Sequence, residues 1–582
     1  MFRFLRLPVF RLPIYCTHRV YPAQVLPDSN SIPPQQRNAH YSTIMPAQNK
    51  NSRNGPKRQK RAKPEKKDSK EFDEVLQADI DKLLKKNKPD SDSPADAPAP
   101  PLSTLPEPFT EIEVTVAEIS STGDGLAPSE NGDHVYIVPF TVPGDKALVK
   151  VVRHVRKYHY SVTDFIKVIE PGPQRHDDLI GCKYFGKCSG CQLQMLTYED
   201  QLAHKKRIVE KAYANFSGLI PELIPAIGDT FPSPMQYGYR TKLTPHFAVP
   251  RRKEGPDGPV TEVPPIGFTF KNQRRDLDIE DCPLGTDIIR QGLKSERKKA
   301  TENINKYKKG ATILLRESTA RIPKEPPGDS DPNFKPTIPI TYENKNTSDQ
   351  ESGDIIRLDR PHYTEEKRCV TDQNATSVEY IDDYIFTNKA GAFFQNNNSI
   401  LSGFTEYIRQ QTLSPSTTTD SSSSRIKYLL DAYSGSGLFT ITLSPLFKSS
   451  LGVDVAGDSI ISARENARAN SLSNTGFAAA DAATLFKDVP YPADQTLLVI
   501  DPPRKGCSED FLKQLLAYGP KRVVYVSCNV HTQARDVAVM VQGDERLGLR
   551  YDIESIRGFD FFPQTGHVEG VAVLNKVAIE KV

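Results

Sequence analysis

Cys528 follows the apolar run Val523-Val524-Tyr525-Val526 and lies between Ser527 and Asn529. Most free cysteines are inert core residues. A thiol at the carboxyl end of a strand, with polar neighbours on both sides, instead faces a mouth where its thiolate can add to an electron-poor carbon. Such an addition needs a group that orients the acceptor and a base that takes a proton so that sulfur can leave. The segment Asp501-Pro502-Pro503-Arg504-Lys505-Gly506 follows another apolar run and suits a ledge on which the acceptor lies. Its two prolines stiffen the backbone into a ledge, although a plain turn with solvated Arg504 and Lys505 has the same composition. Glu569 and His567, in Gly566-His567-Val568-Glu569, are rivals for the second part, and residue type leaves both open.

A second constellation surrounds Asp431-Ala432-Tyr433-Ser434-Gly435-Ser436-Gly437, which follows the short apolar strand Tyr428 to Asp431. Gly435 and Gly437 let backbone approach a ligand, and Asp454, ending the next strand, can accept both hydrogen bonds of a ribose diol. A nicotinamide fold also wants such an acid. The loop has Thr440 where a third glycine would stand, and no Arg or Lys to receive a pyrophosphate, which favours S-adenosylmethionine.

Cys182, Cys188 and Cys191 are spaced C-x5-C-x2-C, and Cys282 supplies a fourth thiol. Eight cysteines in 582 residues do not make a disulfide scaffold. Four thiolates suit zinc or a [4Fe-4S] cluster, and ligand type leaves that choice open.

These groups need elements to position them. Leu451 to Asp454, Leu497 to Asp501 and Val523 to Ser527 are apolar on both faces and alternate with helical patterns over Ser459 to Asn470 and Phe511 to Tyr518. That pattern predicts a parallel α/β sheet covered on both sides, with ligands at the strands' carboxyl ends. Near the other end, Ile112 to Val116, Val135 to Val138 and Ala147 to Val151 are short strands separated by Gly123-Asp124-Gly125 and Pro143-Gly144-Asp145 turns. They predict a small β-barrel, flanked by the basic and aromatic stretch Arg153 to Tyr160. Residues 343–354 and 414–424 are polar enough to be insertions. The formal net charge of +3 announces no partner, and no run is apolar for the roughly 18 residues of a membrane span.

The first 27 residues carry Arg3, Arg6, Arg11 and Arg19 with no acidic residue, as a mitochondrial presequence does. Residues 50–70 hold ten basic and two acidic residues around Lys57-Arg58-Gln59-Lys60-Arg61, the composition of a nuclear-import patch. Met45 stands between them, so a second start there would serve the nucleus and cytoplasm without mitochondria. A helical pattern at Val75 to Lys86 gives way to six prolines between Pro94 and Pro108, a linker composition. The expected organisation is multidomain. It comprises a presequence-like segment over 1–45, a basic, Pro-rich disordered linker over 46–108, a barrel over 109–172, a central α+β region with the cysteines over 173–380, and a C-terminal α/β domain over 381–582.

Five motifs in order carry a resemblance: Gly391-Ala392-Phe393-Phe394-Gln395-Asn396, Asp431 to Gly437, Asp501 to Gly506, Val526-Ser527-Cys528-Asn529 and Gly566-His567-Val568-Glu569. The chain resembles the RNA (uracil-5-)-methyltransferases, and its Gly-Asp-Gly and Val-Pro-Gly-Asp turns resemble a TRAM domain, an OB-like RNA-binding barrel. The resemblance implies a Rossmann-like methyltransferase domain and methyl transfer from S-adenosylmethionine to uridine C5. It implies Cys528 as nucleophile, Glu569 as proton acceptor and Asp501 as the carboxylate that orients uracil. Gln395, Tyr433, Gly435, Gly437 and Asp454 fall at cofactor positions, with Asp481 toward the adenine. It also implies a [4Fe-4S] cluster on Cys182, Cys188, Cys191 and Cys282, where the residues alone allow zinc. The implied substrate is tRNA at U54 of the T-loop, acted on by a monomer with no obligate protein partner. Ribosomal RNA is the alternative substrate, and a non-catalytic RNA-binding or tRNA-folding protein the alternative class.

Overall fold

The computed structural model describes residues 67–86, 105–249, 260, 262–324, 355–412, 425–480, 485–486 and 489–579. The presequence-like segment, both insertions and Asp481 lie outside the described residues. No helix among the described residues is long and apolar enough to cross a membrane.

Eight strands form the largest sheet, in the order Thr475–Ala479, Ser449–Asp454, Tyr428–Ala432, Thr496–Ile500, Arg522–Ser527, Glu569–Ala578, Leu549–Phe559 and Gly228–Phe231. The first five run parallel, and Glu569–Ala578 is antiparallel to both of its neighbours. Because side chains alternate along a strand, Leu430, Leu498 and Val523 enter one core while Leu429, Leu497 and Val524 enter the other. Helices Glu509–Tyr518 and Val530–Gln542 cover the first face, and Leu401–Thr412, Leu438–Leu443 and Gly457–Ala469 the second. Strand order reverses at Tyr428–Ala432, which opens a crevice at the carboxyl ends of this strand and Thr496–Ile500.

Two elements from the expected central region belong to this domain. Helix Tyr198–Phe216 buries Ile208, Val209, Ala212 and Tyr213 in the first core. Strand Gly228–Phe231 forms the sheet edge, where Phe231 stacks on Phe559 with ring centroids 5.2 Å apart. The remainder builds two four-stranded sheets, against which helix Asp287–Glu302 packs Ile288, Ile289 and Leu293 beside Leu243 and Leu315.

Residues Glu111 to Glu170 form a six-stranded sheet whose two edge strands, Glu111–Thr115 and Glu118–Ile119, are consecutive in the chain. Between them the Val116 N–H donates to Asp145 O (2.9 Å) and the Ala117 N–H to Leu126 O (2.8 Å). One segment is thus bonded to both sides, which rolls the sheet into a barrel.

Part of the expected linker is a docked helix. Lys67–Lys86 places Leu76, Ile80 and Leu83, one stripe at helical spacing, against Leu126, Val135, Ile137 and Tyr160 of the barrel. Asp79 on that helix accepts the Ser121 N–H (2.5 Å) and pairs with Lys211 (3.2 Å) on helix Tyr198–Phe216. The surrounding Pro-rich composition masked this short apolar stripe, each of whose residues contributes roughly 1.5–3 kcal/mol by burial.

Candidate active site

At the first strand's carboxyl end the chain turns through Tyr433, Gly435 and Gly437 with φ of 63°, 54° and 92°. A tyrosine in the left-handed region is strained, and strain of this kind gathers at ligand loops. Asp454 braces the loop: its carboxylate accepts N–H bonds from Gly435 (3.0 Å) and from Ala456 (2.7 Å). Asp431 accepts both the N–H (2.9 Å) and the hydroxyl (2.6 Å) of Thr440 through one oxygen, and its Oδ1 is buried without a partner. Burial raises its pKa to about 7, more than the Thr440 bonds lower it. The buried Ser434 hydroxyl also has no partner. Buried polar atoms are ordinarily satisfied, so these orphans line a place built for a polar ligand.

The reactive residues meet across two neighbouring strands. Ser527 pairs with Gly570 in antiparallel register, so Cys528, one step on, stands opposite Glu569, one step back. Cβ atoms in that relation are about 5 Å apart. The Asp501 N–H donates to Ala432 O (3.3 Å) at the next strand end but one, bringing a third group to the same rim. Charge corroborates the grouping. Burial, then Glu569 and Asp501, push the Cys528 thiol up to about 12, while Arg504 pulls it down. Burial likewise raises Glu569 to about 7 against the pull of Arg504, and Asp501 is held well above the carboxylate range by burial, Glu569 and Asp431. Cys528 stands one residue before Asn529, the N-cap of helix Val530–Gln542, whose N-terminus favours a thiolate.

Arg504 is exposed, as its place on the ledge predicts, and its charge still acts on both Cys528 and Glu569. Its carbonyl accepts the Asn529 amide N–H (3.1 Å) and the Thr532 hydroxyl (3.0 Å), tying the Asp501 ledge to the Cys528 loop. His567 lies in the field of Arg504, Lys205, Arg240 and Lys271. Desolvation first, and then these charges, hold its pKa below the ordinary imidazole value, although the residue is open to solvent. Gln395 is half-buried, next to Phe394 in the second core, and the following Asn396 accepts the Thr241 N–H (2.9 Å) through its carbonyl.

Cys182, Cys188, Cys191 and Cys282 line one cavity of ≈ 300 Å³ with Arg240 and His246. Burial raises each thiol, Cys188 to about 11, and the sulfurs raise one another. Yet among the described residues no three His, Cys, Asp or Glu groups converge tightly enough to hold a single metal ion. The sulfurs around one zinc sit about 3.8 Å apart, given a Zn–S bond near 2.3 Å.

Sequence reasoning missed a buried polar group beneath the Glu569 loop. Lys205 and Asp560, both without solvent exposure, form an ion pair, and Lys205 also donates to Phe562 O (2.9 Å). Asp560 accepts the Tyr198 hydroxyl (3.0 Å) as well. Within His204-Lys205-Lys206-Arg207, Lys205 has the look of a solvated lysine; only its helical register with Ile208, Val209 and Ala212 marks it as buried.

A family model described as tRNA (Uracil-5-)-methyltransferase matches residues 365–577. The chain is 42% identical to the tRNA (uracil(54)-C(5))-methyltransferase of Schizosaccharomyces pombe, covering 92% of this chain and 89% of that one. It is 43% identical to the protein of that description from Saccharomyces cerevisiae, over 80% of this chain and 73% of the other. In fold it is similar to the Pyrococcus abyssi tRNA (uracil-54, C5)-methyltransferase solved with S-adenosyl-L-homocysteine, with a TM-score of 0.52 at 23% identity over 80% of this chain and 100% of that one. With the register of Cys528 against Glu569, and with fungal relatives matched over most of their length, the chain belongs to the tRNA (uracil-5-)-methyltransferase family.

Proposed function

We propose that this protein methylates C5 of uridine 54 in the tRNA T-loop, using Cys528 as nucleophile and Glu569 as base. The observation that carries the mechanism is the placement of Cys528 opposite Glu569 at the end of paired strands. C5 of uracil is a weak nucleophile until Cys528, its thiol proton given up to solvent, bonds through Sγ to C6, which moves the C5–C6 electron pair toward O4 as an enolate. Bound S-adenosylmethionine supplies the methyl group that C5 then takes. Glu569 removes the C5 proton, and the electrons of that bond restore the double bond and expel Cys528 as thiolate. Burial raises Glu569 toward neutrality, as a general base needs, whereas the cations around His567 lower its hold on a proton, so Glu569 is the base in this reading. Asp501, whose carboxyl is pushed upward by burial, Glu569 and Asp431, meets the polar edge of the base in this reading.

Gln395, Tyr433, Asp454 and the glycines 435 and 437 hold the methyl donor in this reading, with the orphan Asp431 Oδ1 available to a cationic group. Asp481 joins them from sequence. Cys182, Cys188, Cys191 and Cys282 would hold a [4Fe-4S] cluster. Such a cluster supplies a cross-link between the two cysteine segments, and methyl transfer needs no electron from it. Four cysteines lining one cavity, with the Gly190 N–H donated to Cys188 Sγ (3.4 Å), are what this reading rests on. The barrel serves as a TRAM-type RNA-binding module, and the chain works as a monomer. Localisation to mitochondria and to the nucleus and cytoplasm rests on the Arg3 to Arg19 and Lys57 to Arg61 segments.

The test is methylation of tRNA lacking 5-methyluridine by the purified protein and S-adenosylmethionine, with the modified position mapped. Label confined to position 54 supports the reading; label on another base, or none, overturns it.

A further inference from the structure

Glu569 enters its strand directly after the loop 560–568, which closes where Phe559 pairs with Glu569. The proton acceptor therefore depends on how firmly that loop is held. Its middle residue of interest, Gln564, is 3% exposed and has a φ of 71°, a left-handed conformation that is strained for a non-glycine residue. Such a conformation persists only where its surroundings enforce it.

The enforcement comes from two glutamines far away in sequence. Gln201, on helix Tyr198–Phe216, exchanges two bonds with Gln564: its Nε2 donates to Gln564 Oε1 (3.1 Å) and its Oε1 accepts the Gln564 N–H (2.9 Å). Gln192, the residue after Cys191, donates its backbone N–H to Gln564 O (2.9 Å), and Leu193 adds a second donor to that carbonyl (3.1 Å). The Gln192 side chain then accepts the Gly566 N–H through Oε1 (3.3 Å). The barrel closes the junction from a third side: a Cβ on Gly566 would lie 3.2 Å from Gly123 Cα, and one on Gly123 would lie 3.4 Å from the Gln192 side chain. Barrel turn, cysteine loop and the Glu569 loop thus meet with only glycine backbone and one glutamine between them.

We propose that Gln192 is a positioning residue for proton removal, holding with Gln201 and Gln564 the loop that presents Glu569. The inference rests on the assignment of Glu569 as base. Gln192 touches neither uracil nor methyl donor in this account, so its loss leaves sulfur addition and methyl transfer intact and slows release of sulfur. Any disorder of the cysteine loop at Cys191 reaches the reaction by the same route.

The experiment compares Gln192→Ala, Gln192→Glu and Glu569→Gln in the full-length protein, with tRNA and labelled methyl donor. Three quantities are read: tRNA affinity, the rate of protein–RNA adduct formation in a single turnover, and the fraction of protein held as methylated adduct on denaturing gels. Gln192→Ala is expected to keep affinity and addition rate within about twofold while the trapped fraction rises roughly tenfold, since misplacing a catalytic group selectively slows its own step. Gln192→Glu keeps an oxygen acceptor for the Gly566 N–H and is expected to restore most of the turnover. An unchanged trapped fraction with weakened tRNA binding, or equal defects in addition and release, overturns the proposal, as does a Glu variant no better than Ala. Glu569→Gln separates the two levels: if it traps adduct and Gln192→Ala does not, the positioning role alone fails, and if it traps none, the base assignment has failed.

Discussion

Cys528 and Glu569 face one another one residue beyond the last paired position, Ser527 with Gly570, of two antiparallel strands in the large sheet. Strand register brings the two side chains to one rim, and the loop before Glu569 completes its placement, which suits groups proposed to act in sequence on adjacent atoms of one ring. Their separation in the chain is bridged by a helix, a strand and the clamped loop before Glu569.

That placement costs stability. Glu569 is 3% exposed, and its pKa is raised from 4.5 to about 7. Below about pH 4.5 the carboxyl is protonated in folded and unfolded chains alike. As pH rises toward 7 the unfolded chain gives up its proton first, so stability falls across that window, by on the order of 2–3 kcal/mol in full. Glu569→Gln should therefore stabilise the protein at pH 8 and change little at pH 5, measured by denaturant melts at both values. An equal effect at the two pH values would contradict a buried, ionising Glu569.

Asp454 braces the ligand loop through Gly435 and Ala456 and ends the strand beside the crevice. Asp454→Ala should weaken S-adenosylmethionine binding by roughly tenfold to a hundredfold, the equivalent of one or two charge-assisted hydrogen bonds, and leave tRNA affinity alone. Calorimetric titration of the donor and gel-shift titration of the tRNA read the two separately.

The docked helix offers a test of how the barrel is held. Ile80 is fully buried against barrel side chains, so Ile80→Ala should cost about 2–5 kcal/mol locally. Hydrogen exchange should then quicken across Val135–Val138 and Tyr160–Glu170 while the strands of the large sheet keep their protection. Loss of protection throughout would mean that the helix supports the whole molecule instead.

Four thiols around one cavity make an analytical prediction. Protein purified without oxygen should carry about four iron and four sulfide per chain, and Cys282→Ser should carry markedly less of both. Zinc in their place would overturn the iron–sulfur assignment and leave the methyl-transfer mechanism standing.

How much of this was legible in sequence depended on where each signal lay. Val523 to Ser527 and Leu497 to Asp501 announce buried strands because both faces are apolar, and the motifs place Asp501 and Cys528 at their carboxyl ends; Glu569 opens its strand, and only the antiparallel run of Glu569–Ala578 brings it to the same rim. Strand Gly228–Phe231 and helix Tyr198–Phe216 gave no such notice, since their partners lie more than 300 residues away and pairing across that distance leaves no local pattern. Arg504 and Lys205 carry the composition of surface cations; what makes them part of the site is the tertiary placement of Cys528, Glu569 and Asp560 around them. Gln192, Gln201 and Gln564 belong to the same class, because a glutamine has no preference of residue type that separates a clamp from a solvated side chain.

Division of sulfur addition and proton removal between Cys528 and Glu569 is read by denaturing electrophoresis of Cys528→Ala, Glu569→Gln and His567→Ala proteins after reaction with T-arm RNA and S-adenosylmethionine labelled in the methyl group. A labelled protein–RNA band should accumulate in Glu569→Gln, no band and no methylated RNA should form with Cys528→Ala, and His567→Ala should continue to turn over. Methylated uridine from Cys528→Ala, or a band trapped by His567→Ala while Glu569→Gln turns over freely, would contradict it.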